Sequence, residues 1–353
     1  MASRLNVLIV VTSTDRRGAE VEGSQLAEEL RVRGHVAKCV ALAPGQSSGL
    51  AVEALGPTAR SPRTLRALRR RAHSSDVVVA YGSSTLPACA IALLGARVPF
   101  IYRSIGDPER WVRGGWHRWR TGWFFRRAAL VVTLWPAAAT AISRLYGVPA
   151  ERLICVPNAR PLPVADEPDR AVARSLLGLP DDSLVVAWAG ALTEEKQPLL
   201  AVAAVAEVPG AWLVMAGNGP LRPDIEAACR AQLEGRYRLT GVVPSLAPLW
   251  AAADVALLTS RTEGMPGVLI EARLRAVPVV ATDVGAVREV VGDRGVVVAA
   301  DAVPVEVASA IERAAAGSGP VADPGVARFT WPLVVGEWER LLSRVVSVHG
   351  ESP

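Results

Sequence analysis

Residues 254–292 read DVALLTSRTEGMPGVLIEARLRAVPVVATDVGAVREVVG. An apolar run from Val255 to Leu258, closed by Thr259 and Ser260, has the length and flanks of a buried strand. A polar loop follows. Pro266 then stands where a helix accepts its first residue, and Val268, Leu269, Ala272 and Ala276 recur at helical spacing, so a helix is expected to start at the loop. A second apolar run from Val277 to Ala281 reads as the next parallel strand, with Gly285 ending the loop beyond it. Strand, loop, helix and strand in this order make a unit of a parallel α/β sheet.

Such a unit leaves backbone N–H groups of Met265, Gly267 and Val268 at a helix N-terminus, an arrangement that attracts phosphate or another anion. Gly264 and Gly267 let a ligand come close. Two carboxylates, Glu263 and Glu271, flank this anion site, and a phosphate cradle gives no reason for them. Hydroxyl groups do, because an ionised carboxylate only accepts hydrogen bonds and a sugar joined to a diphosphate offers many hydroxyl donors beside its anionic part. The competing reading makes both glutamates solvated residues at a helix start, favoured by the helix dipole.

The span from Glu263 to Glu271 with Ser260 before it, the run EARLRAVPVVATDVGAVREVV after it, and Gly217-Asn218-Gly219-Pro220 upstream resemble glycosyltransferase family 4, retaining enzymes of the GT-B fold. The resemblance is strongest from Val185 to Val298. It implies two Rossmann-like parallel-sheet domains facing a central cleft, with a C-terminal helix crossing back to the first. By resemblance, Glu263 faces the donor sugar, Glu271 holds the ribose hydroxyls, and Lys196 meets the donor diphosphate. Glu263 and Lys196 become the catalytic candidates. Gly190, Gly217, Asn218, Gly219, Val242, Gly264, Met265, Pro266, Gly267, Val268 and Glu271 become the donor-binding ones. The chain departs from the family at Ala191, where an arginine is usual, and lacks the usual histidine, since none lies between His73 and His117. One phosphate contact is missing or comes from elsewhere.

At 353 residues the chain exceeds a typical single domain, and with 50% hydrophobic residues it can build two cores. A first domain is expected over 1–160 and a linker rich in proline and aspartate over 161–182. The donor domain is expected over 183–328, followed by a tail helix over 329–353 that packs back on the first domain. The net charge of +5 conceals an asymmetry: 24 Lys plus Arg against 13 Asp plus Glu through Arg170, then 15 against 21. A basic half is expected to face an anionic surface or substrate. Four scattered cysteines read as reduced core residues rather than a zinc site or disulfide framework. The N-terminal apolar run is too short for a signal peptide, and no transmembrane helix is expected.

In the first half, residues 5–11 form a strand and Gly18 to Arg33 a helix, but the loop between them lacks the glycine spacing of a dinucleotide fingerprint, which counts against a dehydrogenase. Gly18, preceded by Arg17, could admit a phosphate or an acceptor. Arg103 and Asp107 follow a strand end, where open α/β sheets bind ligands; pairing with each other is the alternative. Residues 62–73 form a basic helix. Between Asp107 and Arg127, Trp111, Trp116, Trp119 and Trp123 interleave with arginines, and three readings stay open: a helix with half-buried tryptophans, a membrane interface, and a nucleic-acid stacking surface.

The expected function is transfer of a sugar from a UDP- or GDP-linked donor to an acceptor, lipid-linked or part of a cell-envelope glycan. The alternatives are a non-catalytic sugar-nucleotide-binding or scaffold protein of the same fold, or a GT-B epimerase or phosphorylase. No cofactor beyond the donor substrate, no metal and no nucleic-acid partner are expected, since the chain has no D-x-D cluster and the anion site supplies positive potential. A cytoplasmic protein, peripheral at the inner face of the cell membrane, completes the reading.

Overall fold

A computed structural model describes residues 4–16, 18–45, 49–111, 114–317 and 324–350. The chain divides into two compact units, residues 1–159 with 331–353, and residues 160–330.

The first unit runs β1 (Asn6–Ser13), α1 (Gly18–Val32), β2 (Val36–Ala43), β3 (Glu53–Ala54), α2 (Pro62–Ala72), β4 (Val77–Tyr81), α3 (Thr85–Ala92), β5 (Phe100–Arg103), α4 (Gly115–Arg127), β6 (Leu130–Thr133), α5 (Pro136–Tyr146) and β7 (Leu153–Cys155). Its sheet is parallel, in the order β3-β2-β1-β4-β5-β6-β7. Alternate strand residues feed two cores because successive side chains point to opposite faces. Val7, Ile9 and Val11 meet Leu26 and Leu30 of α1 on one face, while Leu8 and Val10 share the other core with Leu68, Leu86 and Phe125 from α2 to α4.

The second unit runs α6 (Arg170–Leu177), β8 (Val185–Ala189), α7 (Pro198–Ala206), β9 (Trp212–Ala216), α8 (Arg222–Gln232), β10 (Tyr237–Gly241), α9 (Ala247–Ala252), β11 (Val255–Leu258), α10 (Gly267–Leu274), β12 (Val279–Thr282), α11 (Val287–Val291), β13 (Val296–Val298) and α12 (Pro304–Ala316). Its parallel sheet has the order β10-β9-β8-β11-β12-β13. Strand order reverses between β8 and β11, the switch point at which loops diverge and open α/β sheets take their ligands.

The last helix, α13 (Trp331–Gly350), returns to the first unit. Trp331, Val334, Val335, Trp338, Leu342 and Val345, at helical spacing, join the core beneath α1 and the central strands, and Trp338 stacks on Tyr81 with ring centroids 6.2 Å apart.

The stretch read as a linker is only partly one. Asp169 caps α6 by accepting from the Val172 N–H at 2.9 Å, and Arg174, buried on that helix, donates to Asp254 Oδ2 at 2.7 Å and to the Ala252 carbonyl at 3.2 Å. Proline and aspartate here mark a helix start rather than a free tether. β10 ends at Gly241, whose φ of 72° turns the chain and leaves Val242, a donor-binding candidate, 79% exposed. Of the cysteines, Cys89 and Cys229 are buried and Cys39 is half-buried, whereas Cys155 is exposed, so it is not a core residue. Burial pushes the Cys39 and Cys89 thiols up to about 12 and Cys229 to about 11, which keeps them protonated and unreactive.

Candidate functional site

Four loops converge at the carboxyl ends of β8, β9, β10 and β11 in the second unit. After β8, Gly190 donates its N–H to the Ala216 carbonyl at 3.0 Å, and Leu192 donates to Asn218 at 3.0 Å, so the first two loops are zipped together. Gly217 has a φ of 143°, and a Cβ there would run into the Gly190 carbonyl. A Cβ on Gly219 would meet the Leu192 carbonyl in the same way. Close backbone contact between neighbouring loops therefore accounts for these glycines. The Asn218 side chain accepts from the Gly219 N–H at 2.9 Å and stiffens the turn.

Lys196 lies in the turn before α7. Its backbone carbonyl is held by the buried Thr259 hydroxyl at 2.9 Å, and that hydroxyl accepts the Trp188 indole N–H at 3.1 Å. Lys196 Nζ then reaches Glu263 Oε1 at 2.6 Å, and the Ser260 hydroxyl donates to the same oxygen at 2.7 Å. Glu263 Oε2 accepts no hydrogen bond among the described residues, which leaves one carboxylate oxygen for a ligand. Lys196 and Glu263, far apart in the chain, thus form one ion pair at the switch point.

The loop before α10 is anchored from behind. Ala286 donates to the Gly264 carbonyl at 2.8 Å, and Gly285, at φ 56°, lies so close to the Glu263 carbonyl that a side chain would not fit. Pro266 is the N-cap of α10 rather than its first helical residue, and its carbonyl receives Leu269 N–H at 3.2 Å. The N–H groups of Gly267 and Val268 donate no hydrogen bond among the described residues, as the first N–H groups of a helix do. Met265 is buried and packs inward, which removes its side chain from the list of ligand-facing groups.

Glu271 lies one turn further on, half-buried, with Arg160 Nε 3.0 Å from its Oε1. Arg160 was missed in the sequence. It is separated by more than a hundred positions from α10 and sits in an unremarkable context before Pro161; only the parallel bridge between Arg160 and Thr330 and the local fold bring it here. Ala191, exposed, adds no charge to the site.

The candidates on the first unit fare differently. Arg103 has 0% exposure: it donates to Glu22 Oε1 at 3.1 Å, the Pro157 carbonyl at 3.0 Å and Asn158 Oδ1 at 3.1 Å, and also to the Val156 carbonyl. It braces the strand ends, and a buried guanidinium needs all these partners, so it is not an acceptor-binding group. Nor does it pair with Asp107, whose carboxylate accepts from the Glu109 N–H at 2.9 Å in a local turn. Gly18 begins α1 with open space around its Cα, so it is free to face a ligand but is not required by packing. Arg17 lies outside the described residues.

The tryptophans divide. Trp123 packs against the core below α4, but Trp116 and Trp119 are 72% and 58% exposed and stack with centroids 5.0 Å apart. The Trp111 side chain lies outside the described residues. On α2, Arg71 pairs with Glu53 and Arg69 binds the Ala92 and Leu94 carbonyls, leaving Arg63, Arg66 and Arg70 exposed at i, i+3 and i+7, on one face. At the end of α4, Arg126, Arg127, Arg152, Arg344 and His349 surround a depression of about 300 Å³ with Glu151 as its one acid. Among the described residues no helix is long and apolar enough to cross a membrane.

Residues 8–159 match the family model described as a glycosyl transferase 4-like domain, and residues 183–316 match that of glycosyl transferases group 1. The 2-deoxystreptamine glucosyltransferase of Streptomyces kanamyceticus is 36% identical over 48% of this chain and 46% of its own length. The D-inositol 3-phosphate glycosyltransferase of Mycobacterium tuberculosis is 33% identical over 44% of this chain and 34% of its own. The chain thus spans less than half the length of these curated relatives. Among solved structures, Anabaena HepE in complex with UDP superimposes with a TM-score of 0.82 at 21% identity, covering 96% of this chain and all (100%) of that one. Sucrose-phosphate synthase from Thermosynechococcus elongatus gives 0.80 at 18% identity, covering 97% and 100%. Identities this low carry the two-domain architecture and no more.

Proposed function

The chain belongs to the family-4 glycosyltransferases of the GT-B fold, and from that premise we propose that it is a retaining enzyme moving a hexosyl or related sugar from a UDP- or GDP-linked donor to an acceptor that is lipid-linked or part of a cell-envelope glycan. The observation that carries this reading is the Lys196–Glu263 pair together with the start of α10, where the Gly267 and Val268 N–H groups donate no hydrogen bond among the described residues. It places a cation, a carboxylate oxygen and two N–H donors together, the set that a sugar diphosphate requires. Anabaena HepE, of the same fold, has been crystallised with UDP and with UDP-glucose, and that supports a uridine donor as the first to try.

In the proposed reaction the bond from the sugar's anomeric carbon to the diphosphate breaks while one to an acceptor oxygen forms on the same face. The acceptor proton leaves with the departing phosphate oxygen. Lys196 Nζ and the N–H groups of Gly267 and Val268 stabilise the charge that gathers on the diphosphate, and Glu263 Oε2 orients the sugar. Glu271 accepts the ribose hydroxyls. Because these groups supply the positive potential, no metal is assigned a role.

The proposal extends to a peripheral membrane position. The stacked Trp116–Trp119 pair, the one-sided arginines of α2 and the arginine-lined depression combine aromatic rings with unneutralised cations, as an anionic lipid surface favours.

The test is a panel of UDP- and GDP-sugars assayed for a rise in melting temperature and for sugar transfer, with the anomeric configuration of the product read by NMR. 2-Deoxystreptamine and D-inositol 3-phosphate, named in the two relatives, are the soluble acceptors to set beside a polyprenyl-phosphate-linked one. A panel in which no donor stabilises the protein would sink the reading, and an inverted product would remove the retaining assignment.

A further inference from the structure

Arg160 opens the second unit, and its backbone is pinned there: its N–H donates to the Phe329 carbonyl at 2.8 Å, and it forms a parallel bridge with Thr330. From this fixed point the side chain extends over the start of α10. Its Nε lies 3.0 Å from Glu271 Oε1, and its guanidinium rests so closely on Gly267 that a Cβ at that residue would collide with it. With 18% of its side chain exposed, it is partly covered yet reachable.

A guanidinium beside the N–H groups of a helix start puts donors next to donors. Both carry positive potential, and the arrangement is favourable only when an anion accepts from the group. In the unliganded chain that anion is Glu271. Lys196 repeats the pattern on Glu263. Two cations at this edge are thus each held by one of the two carboxylates that the proposed function assigns to hydroxyl groups. A nucleoside diphosphate brings hydroxyls for carboxylates and phosphate oxygens for cations, so a single ligand can satisfy all four groups by exchange of partners. No charge is left alone in the exchange.

We propose that Arg160 is a donor-phosphate-binding residue held ready by Glu271. Arrival of the diphosphate draws the guanidinium from Glu271 to phosphate oxygens, and the released carboxylate turns to the ribose. A side chain at Gly267 would displace the guanidinium from the place where it lies. The inference rests on the reading of this edge as a nucleotide-sugar site, and it assigns to that site a residue from the chain's crossover between units.

The experiment titrates the wild-type, Arg160→Met and Arg160→Lys proteins with UDP, GDP and ADP, and with the corresponding nucleosides, in a calorimeter. Arg160→Met is expected to weaken the preferred diphosphate on the order of tenfold to a hundredfold, with the matching nucleoside bound as well as before or better, and Arg160→Lys to recover part of the loss. Equal loss of diphosphate and nucleoside affinity would make Arg160 a brace for Glu271 and overturn the proposal. So would unchanged diphosphate affinity, although the donor reading would then stand. If the wild type binds none of the three diphosphates, the donor reading fails and takes the proposal with it. Should Arg160→Met not fold, Glu271→Gln decides: it removes the negative charge that competes for the guanidinium, so inorganic pyrophosphate is expected to bind severalfold more tightly than to the wild type, and no gain would refute the exchange.

Discussion

Replacing Glu263 with glutamine separates the roles of its two oxygens. Oε1 accepts from Lys196 Nζ at 2.6 Å and from the Ser260 hydroxyl at 2.7 Å, while Oε2 has no protein partner among the described residues. Glutamine keeps a carbonyl oxygen that can take both donors and loses only the charge and the second acceptor. Charge-assisted hydrogen bonds contribute about 1.5–3 kcal/mol and neutral ones about 0.5–1.5 kcal/mol. With 25% and 11% of the two side chains exposed, the lower end applies, and a stability loss of about 1 kcal/mol is expected. Lys196 keeps its charge and can still meet the diphosphate, so donor affinity should change little. Turnover should fall about 10²- to 10³-fold, because the amide presents a donor where the reacting sugar needs an acceptor. Urea denaturation measures the first quantity, calorimetry the second and initial rates the third. Equal losses in affinity and rate would mean that Glu263 merely holds the donor. A stability loss above about 3 kcal/mol with the rate per folded molecule unchanged would make the pair structural.

Three further outcomes are expected. Trp116→Ser with Trp119→Ser should abolish sedimentation with anionic vesicles at low salt; wild-type protein that stays in the supernatant with neutral and anionic lipid alike would end the membrane reading. Trp338→Ala removes a fully buried ring between α13 and the sheet and should cost about 3–5 kcal/mol in urea denaturation, whereas a loss below about 1 kcal/mol would show that α13 is not part of the first unit's core. The hydrogen bond from Arg275 holds the Glu167 carboxyl below its ordinary value of 4.5, so it stabilises the fold at neutral pH, and that contribution is lost as pH falls through the lowered value. The stability difference between wild type and Glu167→Gln should accordingly be largest near neutrality and close in acid; a pH-independent difference would contradict it.

The order of strands and helices was legible because burial on both faces of a parallel sheet writes itself as short continuous apolar runs, such as Val77–Tyr81 and Val255–Leu258, separated by amphipathic helices. The site was legible where backbone geometry demands a residue type locally. Gly217 needs its positive φ, Gly285 has no room for a side chain, and the loop ending at Pro266 leads directly into a helix. Side chains that act through distant partners were not. Arg103 follows a strand end just as a ligand-binding residue would, but only the assembled sheet reveals that Glu22 and the carbonyls around Asn158 enclose it completely. Trp116 and Trp123 share one helix and one composition, yet the packing of α4 on its neighbours exposes the first and covers half of the second. Arg160 stood at the expected end of the first domain, and it lies on Gly267 because the Arg160–Thr330 bridge fixes its backbone there. Local sequence determines backbone path and periodic burial, since these depend on neighbours a few residues away. Which charges meet depends on contacts across the fold, and these the tertiary structure alone decided.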